Sequence, residues 1–290
     1  MYNKSKEVEL MKNIILSNGV EMPMLGFGTF MIKQDCERHV ADALKLGYRL
    51  IDTAASYFNE EAVGRAIKAS GIPRDELFVT SKLWVQDAGY ENTLKAFDKS
   101  LKALGFDYLD LYLIHQPYGD YYGSWRAMQK LMKDGYIRAI GVSNFSAERV
   151  VDLSLNSDTA PMVDQIELHP FFPQEDTISE IRKYGCVPQA WGPLCEGQKD
   201  IFNNPSLCDI GKAHGKTAAQ VALKWNLQRG VAVIPRSTDT AHRAENIDLD
   251  FKLSEDEMKS ISALDIGRSE IIDHRCAHTA RQLINWKIHD

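Results

Sequence analysis

GYRLIDTAASYFNEEAVG, residues 47–64, contains the unit from which the fold is read. RLID (49–52) is an apolar run of strand length that ends in a carboxylate. TAASYFN follows as a loop. From Glu60 the apolar residues recur at helical spacing until Gly71, the residue type that commonly follows a helix C-terminus.

The same strand–loop–helix order repeats along the chain. MLGFG (24–28), RLID, LFVTS (77–81), YLDLYLIH (108–115), IRAIGVS (137–143), MVDQIEL (162–168), VPQAW (187–191) and VAVIP (231–235) read as strands. CERHVADALKLG, EEAVGRAIKASG, YENTLKAFDKSLKALG, SWRAMQKLMKDG, AERVVDLSL, TISEIRKYG and TAAQVALKWNLQRG read as the helices between them. Eight such units predict an α/β fold of the (β/α)8 TIM-barrel type, with a doubly wound open sheet as the alternative. KNIIL and VEMP, joined by a turn at Asn18-Gly19, predict an N-terminal β-hairpin. SEDEMKSISALD, with Ser254 and Glu257 in capping-box spacing, predicts an extra helix before a C-terminal tail. No linker or low-complexity tract divides the chain, so a single domain is expected, with a core over 14–264 and a tail over 265–290.

The 290 residues are 44% hydrophobic and 26% charged with a net charge of −6, and no basic block points to nucleic acid. The polar leading stretch MYNKSKEVELMKN lacks a secretory apolar core, and no run is long enough to span a membrane. Five widely spaced cysteines without a C-x-x-C pair predict free thiols in a reducing cytoplasm, with neither disulfides nor a metal site.

In a barrel the strand C-termini share one rim, and Asp52, Lys82 and His115 end three strands while Tyr57 follows Asp52. One phenol, one amine, one carboxylate and one imidazole suit proton transfer to a carbonyl oxygen. Tyr57 would be the acid, with its pKa expected to fall beside the Lys82 ammonium. Asp52 would hold Lys82 charged, and His115 would orient the substrate oxygen. No side chain supplies a hydride, so a nicotinamide is implied, yet there is no G-x-G-x-x-G for a Rossmann site. Ser143, Asn144 and Gln165 end strands and offer groups to a carboxamide. Trp191 offers a stacking face, and Arg236, Ser237 and Thr238 precede a helix as a phosphate site. Lys82 alone also permits Schiff-base chemistry.

These residues resemble the aldo-keto reductase superfamily. GYRLIDTAASYFNEEAVG, RAIGVSNF (138–145) and IPRSTDTAHRAEN (234–246) are similar to its three signatures, and VTSKLW and LYLIHQP to its catalytic lysine and histidine segments. The short loops and the SEIIDHR tail are similar to bacterial members of the 2,5-diketo-gluconic acid and glyoxal reductase type. The resemblance implies that Asp52, Tyr57, Lys82 and His115 form a catalytic tetrad. It implies that Gly28, Thr29 and Asp52 lie beside the nicotinamide ribose, and that Trp191, Gly192, Pro193, Leu194 and on to Gln198 cover the pyrophosphate. Glu245 and Asn246 would contact adenine.

Arg236 stands where the family has lysine, and His242 where it has arginine, with Arg243 displaced by one. NADPH is therefore the expected coenzyme, with measurable use of NADH. Phe30, Trp84, His115, Phe145 and Tyr118 form the expected mouth for a small aldehyde, ketone or keto-sugar. The tail, with Arg268, His274, Arg275, His278 and Arg281, either folds over the site and offers charge, or packs as a helix anchored by Leu283 and Trp286. A cytoplasmic monomeric carbonyl reductase is the leading expectation. A nicotinamide-binding sensor with little turnover and a Schiff-base lyase are the alternatives.

Overall fold

A computed structural model describes residues 13–290; the polar leading stretch as far as Lys12 lies outside the described residues. Strands β1 (Asn13–Ile15) and β2 (Glu21–Pro23) pair antiparallel, Asn13 opposite Pro23 and Ile15 opposite Glu21. The loop between them is longer than the two-residue turn that Asn-Gly favours. The Leu16 N–H donates to the Val20 carbonyl at 2.8 Å, and Gly19 sits inside that loop at φ 86°. Leu16 and Met22 of this hairpin are buried against Leu50, Leu111, Leu113, Val163 and Val187, so the hairpin plugs one end of the barrel.

The barrel strands are β3 (Gly26–Gly28), β4 (Leu50–Asp52), β5 (Phe78–Leu83), β6 (Leu109–Ile114), β7 (Ile137–Ser143), β8 (Val163–Glu167), β9 (Val187–Trp191) and β10 (Ala232–Val233). Each pairs parallel with the next in chain order. Closure comes from a parallel bridge between Leu25 and Val233, with the Val233 N–H on the Met24 carbonyl at 2.8 Å and the Gly28 N–H on the Pro235 carbonyl at 3.1 Å. A Cβ at Gly28 would lie 2.8 Å from the Ile234 carbonyl oxygen, so the seam needs glycine for close approach. All eight expected strands are present, and the open sheet is excluded by the closure.

Helices α1 (Cys36–Leu46), α2 (Glu60–Ser70), α3 (Tyr90–Leu104), α4 (Tyr121–Lys133), α5 (Ala147–Leu155), α6 (Glu175–Arg182), α7 (Pro205–His214), α8 (Ala218–Gln228), α9 (Thr240–Ile247), α10 (Glu255–Ser262) and α11 (Ala277–Asn285) complete the described chain. Their apolar faces meet the outer side of the strands in a continuous core that includes Val40, Ile51, Val63, Val79, Tyr112, Trp125, Ile140 and Ile166. Helix α4 starts three residues earlier than the apolar spacing suggests, because the Asp120 carboxylate caps the Gly123 N–H at 2.8 Å. The expected capping box at Ser254 and Glu257 is formed. Helix α7 was not read from the sequence; Asn204 caps it and Pro205 opens it, a start signal inside a loop-like stretch. Among the described residues no helix is long and apolar enough to cross a membrane.

Candidate active site

Parallel register brings the four rim residues together. Gly28 lies opposite Asp52, Asp52 opposite Thr80, and Lys82 opposite Leu113, so β3 to β6 end at one level and His115 follows directly. A single 3-10 turn, Ala55–Tyr57, folds the chain after Asp52 back over the strand ends. Hydrogen bonds hold that loop. Thr29 donates through its hydroxyl and its backbone to the Asp52 carbonyl, Thr53 Oγ1 donates to Asn59 Oδ1, and Asn59 Nδ2 donates to the Thr29 carbonyl. Thr29 is fully buried and braces Asp52.

Lys82 is fully buried, and its Nζ donates to Asp52 Oδ1 at 2.5 Å, to the Thr53 carbonyl at 3.0 Å and to Tyr57 Oη at 3.3 Å. Gln165 Nε2 donates to the second Asp52 oxygen at 2.8 Å. The imidazole of His115 stands edge-on to Tyr57 and to Trp84, with centroids 5.6 and 5.2 Å apart. All four expected residues thus form one cluster.

Burial controls their protonation. It pushes the Asp52 carboxyl up and the Lys82 ammonium down, and each is opposed by the charge of the other. The Tyr57 phenol is held well above its ordinary value by burial and by the carboxylates of Asp52 and Glu196. This corrects the expected fall: exclusion of water and two anions outweigh one ammonium, so the phenol keeps its proton. Burial, with help from Lys82 and His274, holds His115 neutral. Ser56 Oγ lies 3.3 Å from His115 Nδ1; a hydroxyl donating there leaves the proton of a neutral imidazole on Nε2.

The expected carboxamide-holding residues are collected but mostly bonded to the protein. Ser143 Oγ donates to the Gln165 carbonyl at 2.7 Å, and Asn144 Nδ2 donates to the His115 carbonyl at 3.0 Å. Gln165 Nε2 also reaches Gln189 Oε1 at 2.8 Å. Asn144, at φ 64°, accepts from Trp191 Nε1 at 2.8 Å, which fixes the half-buried indole at the mouth. Gly192, Pro193, Leu194 and Gln198 lie in the loop after β9, where Cys195, Glu196, Lys199 and Asp200 all adopt positive φ. Arg236, Thr238 and His242 are exposed after β10, while Asn246 is buried and Glu245 partly so. Arg243, one residue past His242, turns away from solvent. It is fully buried and donates to the Ser237 carbonyl (3.0 Å), Thr240 Oγ1 (2.8 Å) and Asp42 (3.2 Å).

Phe30 is partly open and 5.0 Å from the Tyr57 ring. Trp84 is buried beside His115, and Phe145 is buried edge-on to Tyr121 at 5.2 Å, beneath the mouth. The tail crosses the rim. Ser269 Oγ donates to Glu167 Oε2 at 2.5 Å, Tyr118 Oη to the His274 carbonyl at 2.7 Å, and Trp84 Nε1 to the Trp286 carbonyl at 2.8 Å. Both tail expectations hold in part: the helix is anchored by buried Leu283 and by Trp286, and it does fold over the site. Arg268, though, pairs with Glu270 at 3.0 Å, and Arg275 and Arg281 face solvent. Ser56, Gln189 and Ser269 were missed by sequence reasoning, because a small hydroxyl in a loop or a glutamine in a strand has no periodic signal.

A cavity of about 960 Å³ between α1 and α2 takes in Asn59 at its inner end but none of the four tetrad residues, and is lined mainly by charges of both signs such as Lys33, Glu37, Arg38, Glu61 and Arg65. The tetrad cleft is the better site, because there a buried carboxyl, amine, phenol and imidazole with shifted pKa values lie side by side. A half-buried indole at the mouth and an exposed guanidinium at the end of β10 form the donor set a nicotinamide dinucleotide needs, and the residues fit that group.

Residues 24–266 match the family model described as Aldo/keto reductase family. The chain is 49% identical over 259 residues to a glyoxal reductase of Bacillus subtilis (strain 168), covering 88% of this chain and 93% of that one. It is 45% identical over 270 residues to a morphine 6-dehydrogenase of Pseudomonas putida, covering 88% and 91%. Among solved structures, an aldo-keto reductase enzyme from a Medee basin deep-sea metagenome library superposes with a TM-score of 0.87 at 43% identity, covering 90% of this chain and 99% of that one. A Bombyx mori aldo-keto reductase in complex with NADP superposes at 0.85 with 34% identity, covering 90% and 95%.

Proposed function

The chain belongs to the aldo/keto reductase family, and from that premise we propose that it reduces small aldehydes and ketones to alcohols with NADPH. The observation that carries the reading is the contact of a buried Lys82 with both Asp52 and the Tyr57 hydroxyl. When bound, the reduced dinucleotide supplies a hydride to the carbonyl carbon.

The chain's own residues do the rest. Tyr57 enters the reaction protonated and gives its proton to the carbonyl oxygen. The phenolate left behind lies 3.3 Å from the Lys82 amine, whose charge is kept by Asp52. His115, neutral and oriented by Ser56, donates from Nε2 to the same oxygen and turns the carbonyl toward Tyr57. Trp84, Phe30 and Trp286 wall the mouth with apolar surface and keep water from the transfer.

Trp191 would face the nicotinamide, Ser143, Asn144 and Gln165 would meet its carboxamide, and the loop through Gln198 would cover the pyrophosphate. Arg236 would take the 2′-phosphate, with Glu245 and Asn246 near adenine. The Schiff-base alternative needs an amine with an open approach, whereas three oxygens surround Lys82 Nζ. The similarity to a glyoxal reductase favours small reactive carbonyl compounds as substrates. We take barrel and tail as one domain acting as a cytoplasmic monomer.

The test is a panel of aldehydes, ketones and keto-sugars scored by loss of NADPH absorbance, and separately of NADH. Tyr57→Phe should abolish turnover and keep coenzyme binding; undiminished turnover in that variant would refute the mechanism.

A further inference from the structure

The free N–H groups at a helix N-terminus attract phosphate, and Arg236, Ser237 and Thr238 lie just ahead of α9. Here that N-terminus is already occupied. Asp239 Oδ1 accepts from the Ala241 N–H at 2.7 Å and from the His242 N–H at 3.2 Å. The Ser237 hydroxyl is engaged in the same turn: it accepts from the Asp239 N–H at 3.0 Å and donates to the Asp239 carbonyl at 3.2 Å. Beneath the turn, the Arg243 guanidinium is bonded to Ser237, Thr240 and Asp42, so its charge is matched inside the protein. Arg236 stays exposed, with the Glu196 carboxylate close enough for each to feel the other. A phosphate arriving here meets one guanidinium and a fixed anion at the helix end.

We propose that Asp239 is a specificity-determining residue: its carboxylate fills the helix N-terminus and repels the 2′-phosphate of the coenzyme, which narrows the margin of NADPH over NADH. The inference rests on the coenzyme reading given above. It moves the cause of a weak grip from the substitution at His242 to a charge that the sequence presents as an ordinary helix cap. A phosphate monoester carries close to two charges at neutral pH. Removing one exposed carboxylate from its neighbourhood should tighten binding about three- to tenfold, the scale of a surface charge interaction with such a group.

Asp239→Asn removes the charge and keeps a side chain that caps helices about as well. Asp239→Ser repeats the test with another good cap. Binding of NADP⁺, NAD⁺ and adenosine 2′-monophosphate to the full chain is measured by titration calorimetry at low salt, with a melting curve for each variant. The expected result is a three- to tenfold gain for NADP⁺ and for adenosine 2′-monophosphate in both variants, a change of less than about twofold for NAD⁺, and shrinkage of the gain in high salt. Equal shifts for both dinucleotides, or an unmoved NADP⁺ affinity in folded variants, would overturn the assignment of Asp239 alone. If the unaltered chain binds neither dinucleotide, the coenzyme reading falls and this inference with it.

Discussion

Replacing Lys82 by methionine should destabilise the protein far more than replacing Lys82 and Asp52 together. Lys82 has no exposed surface, and its Nζ lies 2.5 Å from Asp52 Oδ1. Without it, the Asp52 carboxylate keeps one hydrogen bond, from Gln165. Breaking a buried pair by removing one partner costs about 3–5 kcal/mol. Burial already pushes Asp52 toward protonation, so the variant can neutralise itself and the loss should fall near 3 kcal/mol. At about 2 °C per kcal/mol for a chain of this size, the melting point drops by roughly 6 °C. Asp52→Asn should cost a similar amount, because it leaves an ammonium that burial is already pulling toward neutrality. The double variant contains no buried charge at this place and should lose only about 1 kcal/mol. Urea unfolding at pH 7 of the four proteins gives the cycle, with an expected coupling of about 5 kcal/mol. All three variants should be inactive, so stability and not turnover is the readout. Additive losses, with a coupling below about 1 kcal/mol, would show that the pair is not held as described.

Three further outcomes follow from groups around this centre. Asp164 is buried with neither carboxyl oxygen in a hydrogen bond of good geometry, only the Phe145 backbone acts to lower it, and burial holds its pKa well above the ordinary value. Its contribution is therefore complete below the unfolded pKa near 4 and is lost as pH rises through the raised folded value. Asp164→Asn should flatten that decline and be the more stable protein at pH 8, as urea midpoints at pH 5 and 8 would reveal. Ser56→Ala should lower kcat/KM about fivefold, the worth of one hydrogen bond, with an unchanged melting point, and Ser56→Thr should restore it; equal losses in both would remove Ser56 from the positioning of His115. His289 Nε2 pairs with Asp87 at 2.9 Å, and its pKa is raised by the Asp290 backbone and by Asp87 against Lys99. This clasp is strongest below about pH 6.5 and loosens as pH rises through the raised value, so acrylamide quenching of Trp286 should increase from pH 6 to 9, and Asp87→Asn should erase that dependence.

The barrel was legible because each strand run ends sharply and most of the helical patterns close on glycine, a local signal that packing did not override. The tetrad was legible for a related reason: strand ends share a level in a parallel barrel, so sequence position alone predicts proximity. What the sequence could not give was the sense of the Tyr57 shift, which depends on how completely water is excluded and on the Glu196 carboxylate across the cleft. The direction of Arg243 is not legible for the same kind of reason: its spacing from the PRS segment says nothing of burial, and its face of α9 turns inward to Asp42 of α1. The burial of Phe145, which is among the expected mouth residues, is likewise not legible in the sequence: its ring packs edge-on to Tyr121.

The segment from Ser269 to His289 is attached to the barrel by a few separate fastenings, at Glu167, Tyr118, Trp84 and Gln86. None of them is a bond to Asp52, Tyr57 or Lys82. The tail reaches the site through the mouth wall, where Trp286 lies against Trp84, and through His274 near His115. Exchange of the terminal segment, with its landing points preserved, would rebuild the tail's side of the mouth while leaving the contacts of Lys82 with Asp52 and Tyr57 in place.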